Sequence, residues 1–492
     1  MRLSKSYPIW LLFLVVFAGA GTASADLTSY IDDHNRFILN GEPFFPIGLY
    51  VVECSNGSYA AELDEIADSP FDTLMNYAVN RCGTDATDAE IFGYLDQLEL
   101  RNLKLIFSLK EYFDGGQDDM DTITNKVSTF KTHPAVISWY LNDERDPVNY
   151  LTQLEERYDK IRALDENHPV WSVHWNTAWL LQEAHTTDIV GMDSYPIDNL
   201  PITVVGDVAD AALQTDKPLW LVPQIFNWKD YPGDFRWATG RPPTKEEMRA
   251  MTYLATNHGA KGLIYYSYFN IRDDADYDTR WPQIKEIASE IDQLRPVLLS
   301  IDQTKDKYIV CNNDQIDIKL MREGATYYLF AVNTKEEAIS DVPFEIKVAL
   351  APSVLETLFE GDGEVAVDDG QFSDDFGVYE VHVYRWEVLD PFIEELNRRT
   401  RLRGQGVKMI GINFGQEVGN SEVRIGKRRH YEDQALGRGK HLHKVKWWTP
   451  TKVKVVLSKG AVPEKWEGTS KYVWIEKDGE KSNCKKVTIL AP

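Results

Sequence analysis

The chain is poor in cysteine, with four in 492 residues, at positions 54, 82, 311 and 484. That excludes a small scaffold built on disulfides. No C-x-x-C and no H-E-x-x-H occurs, so the usual zinc spacings are missing and no metal is expected. Beyond residue 25 there is no uninterrupted run of 18 apolar residues, and no later segment reads as a membrane span. Positive charge is in deficit: 53 Lys+Arg against 77 Asp+Glu leave −24, a poor match to nucleic acid. What is present is a 43% apolar, 12% aromatic composition, which excludes disorder. At roughly 150 residues per domain, two to four domains are expected.

The charge is uneven. Residues 391–492 hold 22 Lys/Arg and 11 Asp/Glu, a net +11, which leaves −35 on the rest. A change of sign on that scale points to a separate C-terminal domain. The N-terminus reads as an export signal over residues 1–25. Arg2 and Lys5 precede the short apolar core Trp10–Ala20, and Ala23-Ser24-Ala25 fits a cleavage site, giving a mature start at Asp26. An uncleaved anchor is the alternative. Export permits disulfides, and Cys54 and Cys82, after consecutive strand-like runs, are able to pair. Asn56-Gly57-Ser58 is a formal glycosylation sequon.

From residue 26 to 302 strand-like and helix-like segments alternate. Apolar runs occur at Phe44–Tyr50, Phe71–Tyr77, Leu103–Leu109, Val136–Leu141, Val170–Trp175, Ile189–Asp193, Leu219–Phe226 and Leu263–Tyr268. Amphipathic segments separate them: Ala60–Ala67, Asp88–Leu100, Asp118–Lys131, Val148–Leu164, Ile202–Leu213 and Lys245–Asn257, with Pro282–Leu298 after the last. Buried parallel strands read as near-continuous apolar runs, and each crossover needs a helix. The count and length predict a (β/α)8 TIM barrel. A doubly wound open sheet calls for a Gly-rich loop after the first strand, but that strand ends Gly48-Leu49-Tyr50-Val51. Residues 303–388 switch to period two, as in Ile316–Leu320, Tyr327–Val332 and Tyr379–Tyr384, which predicts an antiparallel β-sandwich. Residues 389–405 read as a linker. Residues 406–492 are again all-β. Ile410-Gly411-Ile412-Asn413-Phe414-Gly415, Val423–Gly426, Tyr472–Ile475 and Ser482-Asn483 resemble an IPT/TIG immunoglobulin-like domain. Such modules are spacers or binding units, and the basic charge admits contact with an anionic glycan or cell surface, or simply a solvated face.

Barrel chemistry sits at the C-terminal strand ends. In order these present Tyr50 and Glu53; Asn76 and Tyr77; Lys110, Glu111 and Tyr112; Asn142, Asp143 and Glu144; His174 and Trp175; Asp193 and Tyr195; Gln224; Tyr266 and Tyr268. Phe226, Trp228 and Trp237 lie in or near the loop after the seventh. Carboxylates and amides bind hydroxyls while aromatic faces stack on sugar rings, so the set suggests a carbohydrate cleft and no cofactor. The expected binding residues are Tyr50, Asn76, Glu111, His174, Trp175, Asp193, Tyr195, Gln224, Trp228 and Tyr268.

His133–Glu144, with the ending Asn142-Asp143-Glu144, resembles the fourth-strand segment of clan A glycoside hydrolases. Asn40–Gly48, Ile189–Pro196 and Gly259–Tyr268 resemble the same clan's first, sixth and eighth strands. The likeness spans roughly residues 34–300 and implies hydrolysis of an oligo- or polysaccharide, with Glu144 as general acid/base and Tyr195 supporting the reacting centre. The bland alternative for Glu144 is a salt-bridging loop carboxylate. Two departures stand out. Asp143 occupies a position where the clan has Asn. The clan's strand-seven nucleophile is a Glu, and the matching residue here is Gln224, whose amide cannot form a glycosyl ester. Three routes stay open. The adjacent pair Asp143–Glu144 matches that of substrate-assisted hexosaminidases, in which Asp orients a 2-acetamido group. Another carboxylate, Glu111, Asp193 or Glu53, is nucleophile or base, with the separation deciding between retention and inversion. Or the barrel binds glycan without cleaving it, as an adhesion protein would. The acidic run Arg272–Asp278 invites a calcium reading, but it lacks the Gly and terminal Glu of an EF-hand loop.

Overall fold

The computed structural model describes residues 28–402 apart from 56, 83, 111–116, 198, 303, 305–307, 348–350, 362 and 389–390. Beyond these it describes 405–412, 414, 421–426, 440–441, 445–448, 452–457, 466, 469–477, 480–482 and 485–490. The proposed signal segment, residues 1–25, lies outside the described residues.

Eight parallel strands close into one barrel. They are β1 (Ile47–Val51), β2 (Thr73–Asn76), β3 (Lys104–Ser108), β4 (Val136–Asp143), β5 (Val170–His174), β6 (Ile189–Ser194), β7 (Leu219–Pro223) and β8 (Gly262–Tyr265). Each falls on one of the eight apolar runs, and nearly every strand residue is buried, as both faces of a barrel strand require. The outer helices are α1 (Ala60–Ala67), α2 (Asp88–Leu100), α3 (Gln117–Phe130), α4 (Pro147–Leu164), α5 (Thr177–Glu183), α6 (Val204–Leu213), α7 (Lys245–Asn257), α8 (Tyr268–Asp273) and α9 (Tyr277–Leu298). Capping boxes at Thr87/Glu90 and Thr244/Glu247 start α2 and α7, and Asp146 with Pro147 starts α4. Helix α9 begins five residues before Pro282, which sits inside it rather than at its first turn.

The lumen is packed with rings. Short strands Ser29–Ile31, Phe37–Leu39 and Glu42–Pro43 cover the N-terminal end. From there Phe37 meets Trp220 at 5.2 Å, Trp220 meets Trp171 at 5.8 Å, and Trp171 meets Tyr50 at 6.1 Å. Gly191 on β6 makes room for this column: a Cβ there would lie 2.5 Å from Val173 Cγ2 and 2.7 Å from Trp171 Nε1.

The sandwich has a five-stranded sheet, β10 (Ile316–Glu323), β11 (Thr326–Asn333), β16 (Val381–Glu387), β13 (Val354–Leu358) and β14 (Gly363–Ala366) in that order. It has a three-stranded sheet, β9 (Ile309–Cys311), β12 (Ile339–Ile346) and β15 (Gln371–Phe376). Alternation along β11 and β16 sends Tyr327, Leu329, Tyr384 and Trp386 into the sandwich core. It sends Phe330, Val332, Val381 and Val383 the other way, into the barrel's helix layer. The central strands β11 and β16 are thus covered on both faces. Polar bolts reinforce the joint: Arg249 of α7 reaches Glu290, Glu360 and the Val381 carbonyl, and His258 bridges Asp210 and Asp317.

The stretch 389–405 is not a bare linker. Phe392–Leu396 pairs antiparallel with Gly406–Ile412, and Thr400–Leu402 pairs parallel with Lys485–Leu490, so it supplies two strands to the last sandwich. Phe392 enters the middle sandwich's core while Ile393 enters the C-terminal one. Period-two parity over just these few residues, interrupted by arginines, concealed them.

Candidate active site

A cavity of about 670 Å³ opens where the barrel strands end. Its floor and one wall are tyrosines. Tyr50 from β1 meets Tyr77 at 5.3 Å and Tyr266 at 5.0 Å, and Tyr266 stacks on Tyr195 at 5.5 Å. Burial pushes the Tyr50, Tyr77 and Tyr195 hydroxyls well above their ordinary range, so they stay neutral donors.

Four carboxyl groups line the cavity, and three of them, Asp143, Glu144 and Asp193, come from the ends of β4 and β6. Strand β4 runs straight through Asp143 and then breaks, because Glu144 takes a left-handed backbone with φ +59°. Its N–H donates to the Val173 carbonyl at 3.0 Å, and Asn142 Oδ1 accepts from the Arg145 N–H at 3.0 Å, which pins the turn. A glutamate held in that region at a cavity is local strain of the kind found at functional sites. The neighbouring Arg145 covers the Tyr150 ring at 4.9 Å, and Glu144 itself is exposed to the cavity. Asp143 is held by donors on both oxygens. Tyr140 and Tyr77 hydroxyls bond Oδ1 at 2.5 and 3.2 Å, and Lys110 pairs with Oδ2 while its Nζ lies 3.5 Å from the Tyr77 ring centroid. Asp193, from β6, is 8% exposed. Burial first, and then the facing Glu144 carboxyl, hold it well above the usual carboxylate range. Asp193 therefore favours its protonated form beside Glu144.

The opposite wall comes from the loop after β7. Trp228, Tyr231, Asp234, Phe235 and Arg236 face the cavity. Arg236 lies over Trp228, 3.2 Å from the ring centroid, and pairs with Asp234 through two 2.7 Å bonds.

Of the expected binding residues, Tyr50, Trp175, Asp193, Tyr195 and Trp228 line this cavity together with Asp143 and Glu144. Four do not. Gln224 is fully buried, and its amide is spent on backbone: Oε1 accepts from the Ile197 N–H and Nε2 donates to the Ile197 carbonyl, both at 2.9 Å, with a longer 3.4 Å bond from Nε2 to the Phe226 carbonyl. It anchors the loop after β6 instead of touching a sugar. Asn76 donates to the Glu53 carbonyl and accepts from the Ala78 N–H, each at 2.8 Å, and so ties the loops after β1 and β2. His174 is buried with Nδ1 2.7 Å from Glu183 of α5. Tyr268 opens α8 and faces outward, with its ring against Trp281 at 5.2 Å and its hydroxyl 3.1 Å from Glu65. Glu111 lies outside the described residues. Cys54 is disulfide-bonded and Cys311 is free, while the side chain of Cys82 lies outside the described residues. In the acidic run after β8, Asp274 and Asp276 turn to Arg280, at 2.6 and 3.8 Å.

Sequence reasoning passed over Tyr77 and Tyr266 in favour of Asn76 and Tyr268. Parity at the end of β2 separates Asn76 from Tyr77, and the start of α8 at Tyr268 sets that ring apart from Tyr266. It missed Tyr231, Asp234, Phe235 and Arg236, for which the aromatic density of Phe226–Trp237 was the available signal.

Glu53 is also outside the cavity. It accepts from the Tyr94 hydroxyl at 2.9 Å, and burial raises its pKa from 4.5 to about 7. Between those values the fold keeps a proton that the unfolded chain has released. Stability attributable to this group therefore falls as pH rises through the window, by about 3 kcal/mol in all. Urea midpoints at about pH 5 and pH 8 should show that slope in the native sequence and its loss in Glu53→Gln. A slope that persists in the variant would remove Glu53 as its source.

No protein-family model matches the chain, and no curated protein matches it in sequence. Solved structures do match in shape. A glycoside hydrolase superposes with a TM-score of 0.53 at 11% identity, over 73% of this chain and 96% of that one. A glycoside hydrolase family 5 structure from Bacteroides vulgatus gives 0.49 at 12% identity, over 73% and 93%. A β-galactosidase from Bacillus circulans gives 0.48 at 9%, over 69% and 99%. The first of these supports a shared architecture of barrel and following β-domain.

Proposed function

We propose that the protein is an exported O-glycosyl hydrolase acting on an oligo- or polysaccharide or a smaller glycoside, with Glu144 as proton donor and Asp193 as its partner. The observation that carries this is the carboxyl pair: Glu144, forced into the cavity by its left-handed turn, faces a buried Asp193 whose proton affinity it raises. Cleaving a glycosidic bond needs one group to protonate the leaving oxygen and one to stabilise the oxocarbenium-like centre. In this reading the proton held by Asp193 passes through the Glu144 carboxylate to the glycosidic oxygen, and the C–O electron pair leaves with that oxygen. Asp193, then ionised, steadies the positive anomeric centre. Water completes the reaction, and Glu144 recovers a proton from it.

A substrate-assisted variant draws support from one observation: Asp143, next to Glu144, is fixed by Lys110 and two tyrosines, as an orienting group must be. The export signal ending at Ala25 is part of the proposal, as is the reading of the C-terminal sandwich as an IPT/TIG-like spacer or glycan contact.

The test is hydrolysis of a panel of chromogenic glycosides that includes N-acetyl sugars, with the anomer of the first product followed by NMR. Release of sugar from any member supports the reading. Activity confined to 2-acetamido sugars selects the substrate-assisted route. Saturable glycan binding with no release would replace the hydrolase by a binding protein on a disabled barrel.

A further inference from the structure

The cavity is chemically lopsided. The carboxyls Asp143, Glu144 and Asp193 come together with Tyr50 and Tyr77 from the ends of β1, β2, β4 and β6, and further hydroxyls come from Tyr195, Tyr231 and Tyr266. Across from them the lining is Leu200, Val204 and Val208 from the loop and helix after β6, Phe235 from the loop after β7, and Trp175 at the rim. Leu200, Phe235 and Trp175 are 53%, 81% and 56% exposed. Among the described residues the only charged groups on this side are Asp234 and Arg236, and these satisfy each other through two 2.7 Å bonds. A pyranose bound here would find a face to lie on but almost nothing to answer its ring of hydroxyls. Leaving hydroxyls without partners is unfavourable. Branched aliphatic side chains such as Leu200, Val204 and Val208 offer no flat face for stacking, and contribute only by covering apolar surface. Exposed apolar clusters of this kind mark places where something apolar is bound.

We propose that this half of the cavity receives an apolar aglycone, an alkyl or aryl group attached to the sugar that Glu144 and Asp193 engage. This rests on the glycosidase reading and narrows it to glycosides with a hydrophobic leaving group. The sugar sits among the carboxyls and tyrosines, and the aglycone extends between α6 and Phe235. Both sets of residues line one continuous cavity, so a group attached to a sugar at the carboxyls has room to extend against the apolar lining.

n-Alkyl glycosides isolate the effect, since methyl, hexyl and octyl leaving groups have nearly the same acidity and differ in apolar surface alone. Binding of these compounds, with glucose, galactose or N-acetylglucosamine as the sugar, is measured by calorimetry below micelle concentration, and KM is measured wherever turnover occurs. A phenyl glycoside separates an aryl preference from a lipid-like one. Expected is a Kd about tenfold or more lower for octyl than for methyl, from the apolar area covered. Leu200→Ser combined with Phe235→Ala should bring the two to the same Kd. Both side chains are exposed, so the fold is not at risk. Turnover of methyl and octyl glycosides with equal KM overturns the aglycone site while leaving the hydrolase reading intact. Chain-length-dependent binding without turnover keeps the site and sinks the hydrolase. Failure of every octyl glycoside to bind, or tight octyl binding that survives the double substitution, overturns the proposal.

Discussion

Glu144→Gln is expected to lower kcat/KM on any cleaved glycoside by about 10²–10⁴-fold, the usual contribution of a positioned acid/base. Glutamine has the same shape and can occupy the same left-handed turn, whose bonds run from the backbone N–H to Val173 and from Asn142 to Arg145. Stability should therefore change by less than about 0.5 kcal/mol. The substitution also removes the like charge facing Asp193. The proton affinity of Asp193 should then fall toward the ordinary range, though burial continues to hold it up. A carbon-detected titration of Asp193 in both proteins reads that change directly, independent of turnover. Unchanged activity in the folded variant would rule Glu144 out as the proton donor.

The second large effect concerns stability. Arg249→Met should cost about 3–5 kcal/mol, the range for breaking a buried charge network by removing one partner. The guanidinium lies between Glu290, bonded at 2.8 and 3.0 Å, and Glu360 at 2.6 Å, and it donates to the Val381 carbonyl at 2.6 Å. Methionine fills the space but leaves both carboxylates and the carbonyl without that donor. Burial already raises Glu360, with Arg249 opposing the rise. Without the arginine Glu360 favours protonation more strongly, so the folded variant binds a proton that the unfolded chain releases. Its deficit should shrink as pH drops from about 7 to about 5 and grow in the other direction. Denaturant unfolding at the two pH values, followed by tryptophan fluorescence, measures both the deficit and its slope. A variant within 1 kcal/mol of the parent at pH 7 would mean that the joint holds without this network, through His258 with Asp317 and apolar contact such as Tyr253 on Phe330 at 6.0 Å.

Strand and helix positions were legible because barrel strands are apolar on both faces and leave uninterrupted runs such as Leu219–Pro223. Helix α5 was not, since its seven residues are too few to display a period. At the site, Glu144 and Asp193 were legible as strand-end carboxylates. The errors came from residues one or two places further along. Asn76 and His174 turn away from the cavity while Tyr77 and Trp175 line it. Tyr268 already belongs to α8, so the helix, not the strand, sets its direction. No sequence pattern distinguishes an amide that reads a sugar from one that reads a peptide. Gln224 needed coordinates.

That glutamine has an evolutionary corollary. Because it grips the Ile197 main chain and ignores the side chain, the segment from Tyr195 to Thr203 is moored without reference to its own composition. Substitutions at Leu200 and its neighbours can therefore reshape that part of the cavity lining while the Gln224–Ile197 mooring stays as it is. Grafting that segment between homologues is the economical route to new substrate preferences.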